Sequence, residues 1–156
     1  ETKCDAIKLE GGKKIFSIVK YLVEKNIPVM GHIGLLPQSQ RGKFRYKGRN
    51  KIDRKNIFKD AISLEKAGAF SIVIECVEKS LARLISKSVK IPTIGIGASQ
   101  DCDGQILVTD DLIGLTSNTP RFVKRYLNIR KLFNKSILKY KRDVINRKFP
   151  TKKNLY

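Results

Sequence analysis

The chain alternates short apolar segments with longer amphipathic ones along its first hundred residues. Apolar runs of four to eight residues predict strands, and apolar positions three or four residues apart predict helices. The run FSIVIECV at 70–77 is the strongest strand signal, because nearly continuous apolar runs are typical of parallel strands covered on both faces. In total, strands are predicted at 3–9, 28–33, 70–77, 93–97 and 105–108.

Helical periodicity fills most of the gaps between these strands. A helix is predicted at 13–24, and Ile57, Ala61 and Leu64 mark a second one. Gly68 follows the second helix at the position where a left-handed residue commonly ends one. A third helix is expected around 81–85.

The C-terminal region carries a different, strongly basic helical pattern. Helices are predicted at 120–134 and 136–147, the first with Pro120 just inside its start. The segment 148–156 is predicted to be a basic tail. The region therefore extends the predicted α/β alternation with two terminal helices.

An alternating order of strands and helices predicts an α/β fold with a parallel sheet. The two candidate architectures are an open, doubly wound sheet and a (β/α)8 barrel. A full barrel needs eight strands and about 250 residues, whereas this chain has 156 residues. We therefore expect residues 1–147 to be the C-terminal part of a single barrel that lacks about three N-terminal β/α units. The absence of an initial Met agrees with upstream residues being missing.

The composition is strongly basic, with 33 Lys and Arg against 14 Asp and Glu and a net charge of +19. The positive charge is densest at 41–55 and 121–156. A nucleic-acid-binding domain would use such charge to neutralise phosphates, and this alternative stays open. Neither region contains a known nucleic-acid module, and abundant Lys, Ile and Asn also fit drift in an AT-rich genome. Solvated surface charge is therefore the preferred interpretation.

Three cysteines occur without a C-x-x-C spacing, which favours a reducing compartment over a disulfide framework. Cys4 and Cys76 lie in apolar runs, so we expect them to be small buried hydrophobic residues and not nucleophiles or metal ligands. The chain has no run of 18 apolar residues that would predict a membrane span.

Ionisable side chains stand near the carboxyl ends of three predicted strands: Lys8, Glu10, His32 and Glu75. In a parallel barrel these ends face the same mouth, where active sites are built. A cation, two carboxylates and an imidazole would then meet at one rim. This convergence predicts an enzyme.

Each of these residues also has a structural interpretation. Glu10 could cap the following helix, Lys8 could serve only as the ion-pair partner of Glu10, and the single His32 could be a structural residue. Glu75 has fewer such alternatives, because a carboxylate buried in an apolar strand without partners costs several kcal/mol. General acid–base catalysis is therefore the favoured role for Glu75.

Several collinear segments carry a family resemblance: IKLEGG at 7–12, PVMGHIGLLPQS at 28–39, AISLEKAGAFSIVIECV at 61–77, IPTIGIGAS at 91–99, CDGQILV at 102–108 and PRFVKRY at 120–126. In order and spacing they resemble the ketopantoate hydroxymethyltransferase family. The resemblance implies a (β/α)8 barrel of the phosphoenolpyruvate/pyruvate superfamily and a cytoplasmic homo-oligomer, a decamer in bacterial members.

The resemblance also implies a reaction and its cofactor. The family transfers a hydroxymethyl group from 5,10-methylenetetrahydrofolate to 3-methyl-2-oxobutanoate, giving 2-dehydropantoate for pantothenate biosynthesis through an enolate stabilised by Mg²⁺. The alternative from the same superfamily is another metal-dependent lyase or aldolase acting on a different oxo acid.

Family roles fall on the four residues singled out above. The catalytic glutamate matches Glu75, the substrate-binding lysine Lys8 and the metal-site glutamate Glu10, while His32 matches the histidine of the GH-x-G-L motif and supports the active site. The two aspartates that bind the metal directly lie upstream of KLEGG in the family and have no counterpart here, since Asp5 does not match either motif.

The sequence departs from the family pattern at a few positions. Leu36 replaces the usual Thr, Ser99 stands where Gly is common, and the loop 40–50 is shortened and charged, although Phe44, Tyr46 and Gly48 keep its outline. These departures leave the four mouth residues unchanged.

Overall fold

A computed structural model describes residues 3–39 and 45–156, so Phe44 and the start of the basic segment at 41–55 lie outside the described residues. The chain divides into two compact units at Ile106 and Leu107. The first unit contains strands β1 (Ile7–Glu10), β2 (Val29–Gly34), β3 (Ser71–Glu75), β4 (Thr93–Ile96) and β5 (Gly104–Gln105). Its helices are a 3-10 turn (Lys13–Ile15), α1 (Phe16–Glu24), α2 (Lys51–Lys66) and α3 (Lys79–Ser88).

The five strands form one parallel sheet in the order β1-β2-β3-β4-β5. A doubly wound sheet reverses its strand order at a switch point, and these five strands show no reversal. Sequential order is the arrangement of a barrel wall. The parallel α/β class is therefore confirmed, and the incomplete eight-stranded barrel stays a prediction, as does a single domain over 1–147.

The sheet has two chemically different faces, because successive side chains on a strand point to opposite sides. Residues of one face pack with the helices in the hydrophobic core, which includes Val29, Ile33, Ile72, Ile74, Val19, Ala61, Leu64, Leu81 and Ile85. The alternate positions on the other face carry Lys8, Glu10, His32 and Glu75. Val73 lies on that second face, buried but outside the core cluster. Both faces of β3 are thus covered, as its apolar run predicted.

Helix α2 shows how local signals fix an element. The side chain of Asn50 accepts a hydrogen bond from the Asp53 amide at 2.8 Å and caps the first turn. Ile57, Ala61 and Leu64 are buried one helical turn apart, as predicted. Gly68 ends the helix with φ +93°. The helix begins at Lys51, six residues before the predicted periodicity, because the Asn50 cap comes earlier.

The second unit contains α4 (Thr109–Leu112), α5 (Ile129–Ile145) and a 3-10 turn (Lys152–Asn154). The two predicted helices at 120–134 and 136–147 were wrong: the single helix α5 covers only 129–134 of the first and 136–145 of the second, and 120–128 is not helical. The amides of Tyr126 and Ile129 donate to the carbonyls of Leu112 and Ile113, which holds this stretch against α4. Asn128 then caps α5 by accepting from the Lys131 amide at 3.1 Å.

Other boundaries and burial also differ from expectation. Cys4 precedes β1 and is exposed, Cys76 is half-buried and Cys102 is buried. Burial of Cys4 was therefore a wrong prediction, because β1 begins only at Ile7. Strand β5 is limited to two residues. Among the described residues, no helix is long and apolar enough to cross a membrane.

The start of α3 is held by a small polar network around Glu78. Its carboxylate caps the helix by accepting from the amides of Ser80 and Leu81, and it also receives the Ser80 hydroxyl and Arg54 Nη1, each at 2.6 Å. Hydrogen bonds from Ser80, followed by the one from Arg54, lower the pKa of Glu78 from 4.5 to about 2. The ionised form is thus favoured in the folded chain.

We expect Glu78→Gln to destabilise the chain at neutral pH by about 1 kcal/mol, the usual value of a cap. A lowered pKa means that the stabilisation is present above pH 4.5 and is lost as the pH falls towards about 2. The variant should therefore lose less stability than the parent protein across this window in urea unfolding. Solvent screens part of the effect, because one third of the Glu78 side chain is exposed.

Glu24→Gln, at an exposed pair with Lys20, is the control and should change little. Equal acid sensitivity of the Glu78 variant and the parent would contradict the assignment.

Candidate active site

Parallel register brings Glu10 and His32 together at the carboxyl ends of β1 and β2. The two residues are direct partners in the ladder, and the Gly11 amide donates to the His32 carbonyl at 2.9 Å. Their side chains point to the same face of the sheet. His32 Nδ1 lies 3.7 Å from Glu10 Oε1.

Glu75 approaches the same imidazole from the other side. It is the last residue of β3 and pairs with Gly34, two residues beyond His32 on β2. Glu75 Oε2 lies 3.2 Å from His32 Nε2. The imidazole is 1% exposed, and the side chains of Glu10 and Glu75 are 9% and 15% exposed. A buried imidazole thus separates two largely buried carboxylates.

The ring nitrogens of His32 make no well-oriented hydrogen bond within the described parts of the chain. Buried polar atoms without such bonds are rare in folded proteins, and each needs an explanation. Carboxylate oxygens of Glu10 and Glu75 lie 3.7 and 3.2 Å from the two ring nitrogens. These three residues form what we call the carboxylate–histidine cluster (Glu10, His32, Glu75).

The segment that follows β2 folds over this cluster. The Gln38 amide donates to Glu10 Oε2 at 3.1 Å, and the Leu35 amide donates to the Glu75 carbonyl at 2.8 Å. One short stretch of backbone therefore touches both glutamates. Gln38 was not predicted as a site residue, because its contact is made by the backbone amide and a pattern of side chains gives no signal for it.

Gly34 is required by the close approach of β2 to Glu75. A Cβ atom at this position would lie 2.3 Å from the Glu75 carbonyl oxygen and 2.5 Å from Val77 Cγ2. Its φ of +92° is also a conformation that favours glycine. The exit of β2 and the end of β3 can pack this closely only without a side chain.

Lys8 is on the cluster's face of the sheet but outside the cluster itself. It lies two residues before Glu10 on β1 and is exposed. Among the described residues no ion pair joins Lys8 to Glu10, and both interpretations of Lys8, as the partner of that carboxylate and as a substrate-binding residue, stay predictions.

The cluster supplies only part of what a divalent cation needs. The carboxylate of Glu10 is a hard oxygen ligand of the kind that Mg²⁺ prefers. Within residues 3–39 and 45–156, however, no group of three or more His, Cys, Asp or Glu side chains could hold a metal ion. Asp5 is exposed in a bend before β1 and does not complete the set. Glu10 fits as one ligand, and the described residues alone do not form the site.

Cys76 directly follows Glu75, and its thiol is not poised for nucleophilic chemistry. Burial, followed by the nearby charge of Glu75, raises the pKa of Cys76 from 9.0 to about 11. Reactive cysteines need the thiolate form at neutral pH. The prediction that Cys76 is not a nucleophile therefore agrees with its surroundings.

Comparison with known proteins gives a consistent assignment. Residues 1–152 match the family model described as ketopantoate hydroxymethyltransferase. The 3-methyl-2-oxobutanoate hydroxymethyltransferase of Pelagibacter ubique (strain HTCC1062) is 62% identical over 156 residues, covering 100% of this chain and 60% of the relative. The protein of the same name from Maricaulis maris (strain MCS10) is 46% identical over 158 residues, covering 100% of the chain and 57% of the relative. The chain thus spans about three-fifths of the length of the curated relatives it matches.

We expect Gly34→Ala to destabilise the chain by about 1–3 kcal/mol, the range for a strained backbone position. The added methyl group must move the Glu75 carbonyl or Val77, and β2 must hold a left-handed alanine. Urea unfolding measures the change. Gly104→Ala is a matched control, since its added Cβ would meet only the flexible end of Ile94 at 2.9 Å. A loss no larger than that of the control would show that the close approach is absent.

Proposed function

Because the chain belongs to the ketopantoate hydroxymethyltransferase family, we propose that it provides the acid–base part of an active site that transfers a hydroxymethyl group to 3-methyl-2-oxobutanoate. The proposed one-carbon donor is 5,10-methylenetetrahydrofolate and the product is 2-dehydropantoate, a precursor in pantothenate biosynthesis. The observation that carries the proposal is the buried imidazole of His32 between the carboxylates of Glu10 and Glu75.

The reaction requires that the C3 proton of a 2-oxo acid be removed and the resulting charge be spread onto the carbonyl oxygen. Glu75 is proposed as the group that moves protons, either from C3 or at the folate nitrogen as the methylene group leaves. A positioned acid or base typically contributes about 10²- to 10⁴-fold to such a step. His32 supports the carboxylate at 3.2 Å.

The other two residues are proposed to bind. Lys8 would pair with the substrate carboxylate or its developing oxyanion, which stabilises negative charge in the transition state. Glu10 would contribute one carboxylate to a Mg²⁺ site completed by other residues. When bound, Mg²⁺ supplies Lewis-acid stabilisation of the enolate oxygen.

The remaining features of the proposal follow the family. The five-stranded sheet would be part of a (β/α)8 barrel wall, and the protein would act in the cytoplasm as a homo-oligomer, a decamer as in bacterial members. Sequential parallel strands support the barrel.

Product analysis after incubation with 3-methyl-2-oxobutanoate, 5,10-methylenetetrahydrofolate and Mg²⁺ tests the activity, and the appearance of 2-dehydropantoate is expected. Turnover of another oxo acid without folate would favour the lyase or aldolase alternative.

The charge of +19 keeps nucleic-acid binding as a second candidate. Retention on a DNA column with a steep dependence on salt would favour it, because released counterions make such binding salt-sensitive. Elution at low salt would indicate solvated surface charge. This experiment is independent of the enzymatic assay.

We expect Glu75→Gln, in the complete polypeptide that carries this chain, to lower kcat at least about tenfold while binding of the oxo acid largely survives. The amide keeps the shape of the side chain but cannot accept the proton. Exchange of the C3 proton in D₂O, followed by NMR without folate, tells which proton Glu75 moves. Loss of exchange assigns the C3 proton, and retained exchange with slow transfer assigns the proton at the folate nitrogen. Unchanged turnover would remove Glu75 from the mechanism.

Glu10→Ala should raise the Mg²⁺ concentration required for half-maximal activity, because one oxygen ligand is lost. The measurement is a Mg²⁺ titration of turnover at saturating substrates. Glu24→Gln on the exposed face of α1 is the control and should leave the titration unchanged. Superimposable curves for Glu10→Ala and the parent enzyme would show that Glu10 does not act at the metal.

A further inference from the structure

The backbone of Cys76 adopts a conformation that its residue type disfavours. Its φ is +48°, in the left-handed region that glycine enters readily and a residue with a side chain does not. Such a residue persists only where its surroundings force the conformation, and strained positions of this kind cluster at functional sites. Cys76 directly follows Glu75, the proposed proton carrier.

Backbone hydrogen bonds from two other segments of the chain hold this strained residue. The Cys76 amide donates to the Ile96 carbonyl of β4 at 2.8 Å, and the Cys76 carbonyl accepts from the Lys47 amide at 2.7 Å. The Glu78 amide returns a hydrogen bond to the Lys47 carbonyl at 2.9 Å. Hydrogen bonds at both its amide and its carbonyl therefore hold Cys76 in this conformation.

The left-handed residue ends β3 immediately after Glu75 and turns the chain towards α3. Val77, the next residue, is 2% exposed and belongs to the hydrophobic core, and Glu78 caps α3. The Glu75 carbonyl is fixed at the same time by the Leu35 amide. The backbone that follows the Glu75 Cα atom is thus fixed at the Glu75 carbonyl and at the Cys76 amide.

We propose that Cys76 is a positioning residue whose left-handed backbone, and not its thiol, holds the Glu75 carboxylate beside His32. The expected effect on turnover rests on the proposed function, whereas the expected position of the Glu75 carboxylate does not. The thiol stays protonated at neutral pH in this half-buried position, so loss of the sulfur atom should be tolerated.

The test compares Cys76→Gly and Cys76→Asn with Cys76→Val. All three remove the thiol, but Gly and Asn adopt the left-handed conformation readily, whereas a β-branched residue is a severe outlier there. His32 Nε2 lies 3.2 Å from Glu75 Oε2, so the imidazole NMR signals of His32 at one fixed pH report the position of that carboxylate. In the complete polypeptide these signals are identified by their loss in a His32→Gln variant. We expect the Gly and Asn variants to keep the parent signals and the Val variant to shift them towards those of Glu75→Gln.

Turnover gives the second measurement, again in the complete polypeptide. The Val variant should lower kcat by about tenfold or more with little change in KM for the oxo acid, since a small misplacement of a catalytic group has a large effect on rate. The Gly and Asn variants should stay within about threefold of the parent, because they keep the geometry. Equal kcat losses in all three variants would implicate the thiol and overturn the proposal.

Two further outcomes distinguish failure of the positioning role of Cys76 from failure of the proposed function. If the His32 signals change as expected but no variant and no parent protein shows hydroxymethyl transfer, the proposed function fails and the positioning role stands. If the Val variant leaves both the signals and kcat unchanged, the positioning role fails. Should the Val variant not fold, the unfolding midpoints of Cys76→Gly and Cys76→Ala decide: Gly above Ala is expected at a left-handed position, and the reverse order overturns the proposal.

Discussion

The carboxylate–histidine cluster depends on the parallel register of three neighbouring strands. The ladder pairs Glu10 with His32 and places Glu75 two residues beyond Val73, the His32 partner on β3. In a parallel sheet all three carboxyl ends lie at the same edge, and residues two positions apart share a face. A slip of one residue in any of the three strands would send its side chain to the helix-covered face, where the core has no polar partner for it. The register of the three strands therefore decides whether the side chains of the cluster meet.

Burial of two carboxylates beside one imidazole is costly unless each charge is compensated. The Gln38 amide supplies part of the compensation for the Glu10 carboxylate, while the Leu35 amide fixes the backbone carbonyl of Glu75. The unusual backbone conformations near Glu75, at Gly34 and Cys76, bring these amides and strand ends together. The unusual backbone conformations thus lie around one side chain, that of Glu75. Departures from local structural preferences are expected to gather in this way at functional sites.

The sequence was sufficient for the class of the fold and for the side chains of the cluster. An apolar run interrupted only by Ser71 and Glu75 indicated a strand with a functional carboxylate, because few structural roles exist for such a residue. Contacts made by backbone amides, such as that of Gln38, leave no pattern in the sequence. The error over 120–128 has a similar cause: the amides of that stretch bond to α4, a tertiary effect that overrides its helical periodicity. Asn128 was a readable cap signal for the true start of α5.

The two glutamates of the cluster are held differently, and the difference supports different roles. One oxygen of Glu10 accepts from the Gln38 amide while the other faces His32, so both oxygens are engaged. In the described chain, Glu75 uses only Oε2 against His32, and its backbone is what is fixed. A carboxylate with an uncommitted oxygen and an immobile backbone can reach a substrate proton from a defined position, which efficient acid–base catalysis requires. A carboxylate held at both oxygens is better suited to a static task, such as orienting the histidine or contributing one ligand to a cation. This difference supports the proposal that Glu75, and not Glu10, is the group that moves protons.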